Sequence, residues 1–590
     1  MNLIHRYSLG AAFLIFLMAL QALLSMRVKS LTNDEVTHIP SGYSYLRTGD
    51  FRLNPEHPPL AKMLAAFPLL WIQPRPILPL HDPGWTSRDQ WQFARAFFEA
   101  NRNRLEAITF WARIPMVLLG VALGCVVYRW ASQLYGSRAG LLSLFFLAFE
   151  PNILAHTRLV TTDMAITLLL FVSLYRLWVY CGDPRPVNLL WAALAFAMAQ
   201  ASKFSALILI VLFGTIIFQS HMATRLKSGR GTVVRRWAAA GGHASLKTLV
   251  AMLCVFVVSG VVLFVSYGGR LEDAASQSAF RADADQYIAR THNPLKKAGY
   301  EALKWLHVPY RYYLEGFRKL MLHFRLGHPS YVLGRLTDRG VWYYFPLAML
   351  IKVPIPLLFF FGLGMCAAIS QWRSREAWFF LYPVVLIFGV SVRSNIQIGI
   401  RHLLPIFPFL MVMAGAASDR WLFERAKRHP DGHSRYWSRK RGLGRIHIMG
   451  GFRSALALLL AGWLVISSWW ISPHYLSYFN ELIGGPKNGH LYLVDSNLDW
   501  GQDLKLLKAY MDRNHIPRIR LFYFGSIDPD LYGIDYETPS WLSGDPPPGI
   551  YAVSANWLYT EKFIDSRYDY FRHRRPQDRA GYSILIYNVP

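Results

Sequence analysis

Two adjacent carboxylates, Asp34-Glu35, stand just past an uncharged apolar run at 9–26 (LGAAFLIFLMALQALLSM) that is long enough to cross a bilayer. Ionisable groups at a membrane face cost free energy unless they are solvated or engaged in chemistry. A second acidic cluster follows in Asn54-Pro55-Glu56-His57-Pro58-Pro59, and Asp163 lies at the mouth of another apolar segment. Lys203, Arg393 and Arg401-His402 stand at the ends of further apolar segments. A carboxylate within hydrogen-bond reach can take the proton of an attacking hydroxyl. Cations and polarised donors can stabilise a leaving phosphate. Together these are the minimum parts for glycosyl transfer from a lipid-phosphate sugar, with the lipid tail in the bilayer and the sugar at the carboxylates. No nucleotide is needed, and the chain lacks a credible P-loop or dinucleotide fingerprint.

Each residue also has a structural reading. Asp34-Glu35 is equally readable as a solvated loop pair, and Glu56-His57 before Pro-Pro as a helix cap. Asp163 follows Thr161-Thr162 and is well placed to complement the dipole of the next helix. Lys203 can snorkel to the interface, and Arg401-His402 can anchor a helix at headgroup level.

The elements that must position these groups follow from composition. Apolar residues make up 53% of the 590, and only 17% are charged, against about 25% in soluble domains. The net charge of +27 is unevenly spread. The stretch 220–247 holds six Lys/Arg and no acid, and 419–453 holds ten Lys/Arg and three acids, whereas 473–590 has twelve basic and fourteen acidic residues. That is the positive-inside pattern of a polytopic membrane protein and not a nucleic-acid surface. Eleven apolar stretches are candidate spans: 9–26, 109–129, 138–154, 164–181, 189–202, 204–219, 248–267, 344–369, 377–392, 402–418 and 453–471. With the N-terminus inside, both strongly basic loops fall inside. The long mixed-charge regions 27–108, 268–343 and 472–590 then fall outside, with Asp34-Glu35, Glu56-His57, Asp163, Lys203, Arg393 and Arg401-His402 on that outer face. Cys125, Cys181, Cys254 and Cys366 lie in or at the ends of apolar segments, which argues against a disulfide framework or a CxxC metal site.

The segment 57–71 (HPPLAKMLAAFPLLW) is too short to span. Leu60, Leu64, Phe67 and Trp71 recur at helical spacing, which predicts an interfacial helix. The chain divides into a membrane domain, 1–472, and an extracytoplasmic α/β domain, 473–590. In the latter, strands are expected at Leu491–Val494, Ile519–Phe524, Gly549–Ser554 and Tyr582–Tyr587. A helix is expected from about Asp503 to Arg513, with the preceding Asp499-Trp500-Gly501-Gln502 offering carboxylate capping of its N-terminus.

These residues resemble a family. Thr32-Asn33-Asp34-Glu35, Asn54–Leu60 with Lys62, Thr162-Asp163, and Gly399-Ile400-Arg401-His402-Leu403-Leu404-Pro405 with Pro408 are similar to motifs of the bacterial membrane glycosyltransferases related to protein O-mannosyltransferases and lipid A aminoarabinose transferases. Trp342-Tyr343-Tyr344-Phe345-Pro346 with Lys352, and Asp495–Asp503, look like a bacterial branch of that group. The resemblance implies a GT-C fold, a polyprenyl-phosphate-sugar donor and an inverting single displacement. It implies Asp34 as general base, with Glu35 and Asp163 orienting acceptor or sugar hydroxyls. Glu56, His57 and His402 would line the pocket, with His57, Lys62, Lys203, Arg270 or Arg401 at the phosphate. A divalent metal near Glu56 is conceivable, without diagnostic ligand spacing. The acceptor is a glycan, a lipid or a protein. The 268–343 loop is too short for the lumenal β-trefoil of eukaryotic protein O-mannosyltransferases, which weakens a protein acceptor. The motifs and unpaired cysteines favour a bacterial cytoplasmic membrane. The competing reading is a transporter or flippase of a lipid-linked or anionic solute, which would place such groups near the midplane of repeat-related helices.

Overall fold

The computed structural model describes residues 3–74, 80–228, 233–269, 293–305, 311–423, 449–541, 544–561 and 565–590, together with 285, 288, 289, 291 and 563. Helix α1 (Leu3–Arg27) leads into α2 (Asn33–Thr48), two short helices α3 (Leu60–Ala66) and α4 (Leu69–Ile72), then α5 (Pro83–Ser87) and α6 (Gln90–Ala100). The bundle continues through α7 (Leu105–Tyr135), α8 (Ser137–Ala148), α9 (Pro151–Thr157), α10 (Asp163–Gly182), α11 (Pro186–Gln200), α12 (Ile208–Ser228) and α13 (Val233–Ser266). The expected interfacial helix over 57–71 is therefore two short helices, because Pro68 interrupts the pattern.

Eight described helices are long and apolar enough to cross a membrane, and up to ten if each bent pair is one span. The expected count of eleven is lowered because α11 has only 15 residues, about 22 Å at ~1.5 Å per residue. The surface of α13 shows what solvent these helices require. Leu249, Leu253, Val257, Val261 and Val265, every fourth residue, are between 58% and 66% exposed. Such a continuous apolar stripe is costly in water and natural against lipid. The chain is a multi-pass membrane protein.

Among the described residues two apolar helix pairs are sharply bent. Between α8 and α9 the axis turns by 70° at Glu150-Pro151, where the Glu150 carboxylate accepts the Ile153 N–H at 2.6 Å. The helices Tyr344–Lys352 and Ile355–Ile369 meet at 119° around Pro354. The turn is held by Lys352 Nζ, which donates to the Leu476 and Asn497 carbonyls at 2.8 and 2.5 Å. In contrast to α13, the span Ile400–Leu422 is buried over 94% of its most apolar window, so whatever sits at its start lies inside protein.

After the last long helix (Met449–Ile471) the chain forms a five-stranded sheet in the order β4-β3-β5-β7-β6. Its strands are β3 (Ile519–Phe522), β4 (Tyr536–Glu537), β5 (Gly549–Ser554), β6 (Asp578–Ala580) and β7 (Ile584–Val589). Strand β3 runs parallel to β4 and β5, while β7 is antiparallel to β5 and β6. A separate hairpin, β1 (Ser330–Val332) and β2 (Arg335–Thr337), precedes the broken helix. The expected strand at Leu491–Val494 is reduced to one bridge, Leu493 to Val332, because the preceding Pro486–Leu491 winds as a 3-10 turn. The expected helix appears as Leu504–Arg513. Asp499 does not cap it. Its carboxylate instead accepts from Ser554 Oγ, from the Asn556 N–H at 2.8 Å and from the Gly501 N–H at 3.2 Å, tying 499–501 to the end of β5.

Burial, helped by nearby Asp503, pushes the Asp499 carboxyl up to about 7, against ~3.9 in an unfolded chain. Between those values the folded state holds a proton that the unfolded state does not, so stability falls as pH rises from about 4 to about 7. Asp499→Asn is expected to flatten this dependence. Thermal unfolding of detergent-purified protein at pH 5 and pH 8 should show the wild-type midpoint falling several degrees more than that of the variant.

Candidate functional site

Thr32 begins α2 as one half of a capping box, with Glu35 Oε2 accepting the Thr32 N–H at 2.9 Å. This turns two neighbouring carboxylates in opposite directions. Glu35 is fully buried. Its oxygens accept from Arg113 Nε and Nη2 at 2.8 and 2.7 Å and from the Val160 N–H at 3.0 Å. Burial alone would raise its pKa, but Arg113 and these backbone donors hold it below the usual carboxylate range. Asp34 points the other way, its side chain 26% exposed, and accepts from Arg401 Nη1 at 2.9 Å. Glu35 thus does not share a face with Asp34, contrary to its expected place beside the acceptor, because a bidentate arginine consumes it.

Asp163 is the first residue of α10 and is buried. Lys203 reaches it from the extended break between α11 and the 3-10 turn Phe204–Leu207, with Nζ 2.5 Å from Oδ1. Arg401 Nη1 lies 3.6 Å from Asp163 Oδ2. Lys203, Asp163, Arg401 and Asp34 therefore form one chain of alternating charge that crosses four segments. Arg401 starts the buried span through the 3-10 turn Ile400–Ile406. Its guanidinium lies 4.2 Å from the centre of the Trp500 ring, a desolvated cation–π contact. Gly399 before it has φ 153°, and a Cβ there would stand 2.2 Å from Ser496 Oγ, so only glycine admits the 495–500 segment.

His57 and His402 flank this chain. His57 Nδ1 and His402 Nε2 are buried without a hydrogen-bond partner. Burial, then the Lys203, His38 and Lys62 charges, holds His57 well below the ordinary imidazole range, so it is a neutral ring. Glu56 is exposed. Lys62 is placed otherwise than the resemblance implied. Its buried Nζ donates to the Asn54 carbonyl at 2.6 Å, Asn54 Oδ1 at 2.9 Å and the His57 carbonyl at 2.8 Å. These bonds staple the 54–57 loop. Burial lowers it to about 7. Arg270 lies outside the described residues. Among the described residues no group of three or more His, Cys, Asp or Glu is placed to hold a metal ion.

Sequence reasoning did not single out Arg113, and it quoted Asp495 and Trp500 only within the stretch Asp495–Asp503, with no role at the site. Arg113 carried a signal: an arginine in the apolar stretch 109–129 must find a carboxylate partner. Asp495 has φ 58°, and burial raises it to about 6, with the Arg401 charge opposing. Nothing local marked Trp500 as the partner of Arg401, 99 positions earlier.

Residues 105–259 match the family model for dolichyl-phosphate-mannose-protein mannosyltransferases. The stretch carries Arg113, Asp163 and Lys203. No curated protein matches the sequence. Among solved structures, ArnT from Cupriavidus metallidurans bound to undecaprenyl phosphate is 12% identical, with 98% of this chain and 97% of that chain covered at a TM-score of 0.43. The archaeal oligosaccharyltransferase AglB from Archaeoglobus fulgidus, in complex with an inhibitory peptide and a dolichol-phosphate, is 14% identical over 79% of this chain, at a TM-score of 0.44. The present chain spans 56% of that protein's length.

Removing one partner of a buried pair leaves an uncompensated charge, at about 3–5 kcal/mol. Lys203→Met is therefore expected to lower the thermal unfolding midpoint clearly. Lys203→Met combined with Asp163→Asn should regain part of the loss, since the buried carboxylate left with only Arg401, 3.6 Å away, is then gone. Unfolding curves of the two variants and the wild type check this.

Proposed function

We propose that the protein is a GT-C-type glycosyltransferase that moves a sugar from a polyprenyl-phosphate donor to an acceptor hydroxyl at the outer face of a bacterial cytoplasmic membrane. In this orientation the N-terminus is cytoplasmic and the sheet domain extracytoplasmic. The reading is carried by one observation. Of the three carboxylates paired with cations here, Asp34 is partly open, while Glu35 and Asp163 are buried. The family match over 105–259 supports the lipid-phosphate donor class.

The chemistry follows from these positions. Asp34 accepts the proton of the acceptor hydroxyl as its oxygen attacks the anomeric carbon. The bond between that carbon and the phosphate oxygen breaks, and the phosphate departs with the electron pair on the opposite face, inverting the centre. Arg401 and Lys203 supply positive charge where charge develops on the phosphate, and the imidazoles His57 and His402 can add hydrogen bonds. Asp163 sets the positions of both cations. Glu35 acts at one remove, as a positioning residue that holds the first turn of α2. Trp500 fixes the guanidinium plane of Arg401.

The test is transfer of radiolabelled sugar from polyprenyl-phosphate donors by purified protein, with an envelope extract as acceptor. Asp34→Asn should lower turnover at least ~100-fold, the scale of general-base loss, while leaving donor affinity and the unfolding midpoint near wild type. Equal turnover in the two proteins removes Asp34 from the mechanism.

A further inference from the structure

A cavity of about 460 Å³ opens between α6 and the C-terminal sheet. Its floor is the carboxyl ends of the parallel strands β3 and β4 and the Gly525–Pro529 loop that follows β3; Trp91 and Arg95 of α6 close it from the other side. The carboxyl edge of parallel strands is where α/β sheets open a crevice to ligands, because the connections diverge there. The volume lies within the ordinary range for small-molecule sites, ~300–1,000 Å³.

The lining has a definite chemistry. Trp91, Tyr523 and Tyr536 bring aromatic rings to the lining, with the buried Trp557 at its edge, while Ser526, Asp528 and Thr538 offer hydroxyl and carboxylate groups. Trp91 is exposed, although it belongs to a helix whose Phe93, Phe97 and Phe98 are all buried. Trp557 is held rigid by stacking on Phe522 at 4.3 Å and 14°. The Tyr536 hydroxyl donates to Asp528 Oδ1 at 3.4 Å, and the Asp530 N–H donates to the same oxygen at 3.0 Å, so the carboxylate is fixed in orientation. One cation and one carboxylate leave the cavity without net charge. Rigid aromatic faces beside hydroxyl-matched polar groups suit the alternating CH faces and hydroxyls of a sugar ring, and a neutral lining disfavours a polyanion.

The cavity is coupled to the carboxylate site. Ser526 Oγ donates to Asn33 Oδ1 at 2.7 Å, and Asn33 directly precedes Asp34. The Asn33 N–H donates to the Trp500 carbonyl at 2.9 Å, and Trp500 carries Arg401 on its ring. Ser526 of the cavity wall therefore bonds the residue that directly precedes the proposed base.

We propose that this cavity is the binding site of the acceptor, and that the acceptor is an uncharged saccharide gripped by Trp91 and the Asp528 loop. The inference rests on the transferase reading above for the word acceptor, but saccharide binding itself can be measured without it. Detergent-purified full-length protein would be applied to a glycan array, followed by affinity measurement on the best neutral oligosaccharide for wild type, Trp91→Ala and Asp528→Asn. Binding of a neutral glycan that weakens at least tenfold in both variants, with unfolding midpoints and polyprenyl-phosphate affinity unchanged, supports the site. Absence of glycan binding, binding confined to anionic glycans, or affinities equal in all three proteins overturns it. Transfer assays then separate the two claims. Turnover that depends on Asp34 but keeps its acceptor KM in Trp91→Ala retains the transferase and removes the cavity. A raised acceptor KM with unchanged kcat and donor KM in Trp91→Ala supports both. Neutral-glycan binding sensitive to Trp91 but with no Asp34-dependent turnover keeps the saccharide site and removes its role as acceptor site.

Discussion

The pair of Glu35 with Arg113 is the constraint on which the site depends. Arg113 spends its guanidinium on Glu35 and on three carbonyls, of Met26, Lys29 and Ser30, at 2.8–3.0 Å. Glu35 in turn takes the N–H groups of Thr32 and Val160. One buried ion pair therefore joins the end of α1, the start of α2, the middle of α7 and the loop that enters α10. Such a pair is a poor source of net stability, because desolvation offsets its attraction. Its value lies in geometry. It ties the start of α2 to the loop that enters α10, and so brings Asp34 and Asp163 toward Arg401.

The segment 495–503 is the second fixture, and it comes from the other end of the chain. Asn497 Oδ1 accepts the Ile400 N–H at 3.0 Å, and Asn497 Nδ2 donates to the Tyr344 hydroxyl at 2.9 Å. Trp500 carries Arg401, and Asp503 receives Lys29 Nζ at 2.6 Å with both side chains buried. Burial opposes the charge on Asp503, but Lys29 holds its carboxyl below the usual range. The sheet domain is thereby stitched to the first loop of the membrane half at the site itself. A domain attached this way is part of the site's wall and cannot be regarded as an appendage.

Much of this was legible from residues. The apolar stretches fell where the helices are, because a bilayer-length apolar run has few alternatives to a helix. Asp34, Asp163, Lys203 and Arg401 stood out as ionisable groups at segment ends, and the fold brings all four together. Lys62 and Glu35 were read less well for a shared reason. A charged side chain near a membrane face reads as chemistry in one dimension, whereas in three it can be saturated by backbone carbonyls or by a hidden arginine. Asp499 misled similarly: a carboxylate four residues before a helix looks like a cap until the end of β5 claims it.

The sequence by itself determined the solvent of each segment and the ends at which charge had to lie. Hydropathy and loop charge are sums over neighbours in the chain, so a linear reading captures them. Tertiary structure alone decided which carboxylate is open and which is spent. That choice depends on partners 78, 125 and 367 positions away, and no local pattern encodes a partner at that range. Two adjacent acids, Asp34 and Glu35, differ because one turn of helix faces them in opposite directions, one toward a buried guanidinium and the other toward the open site.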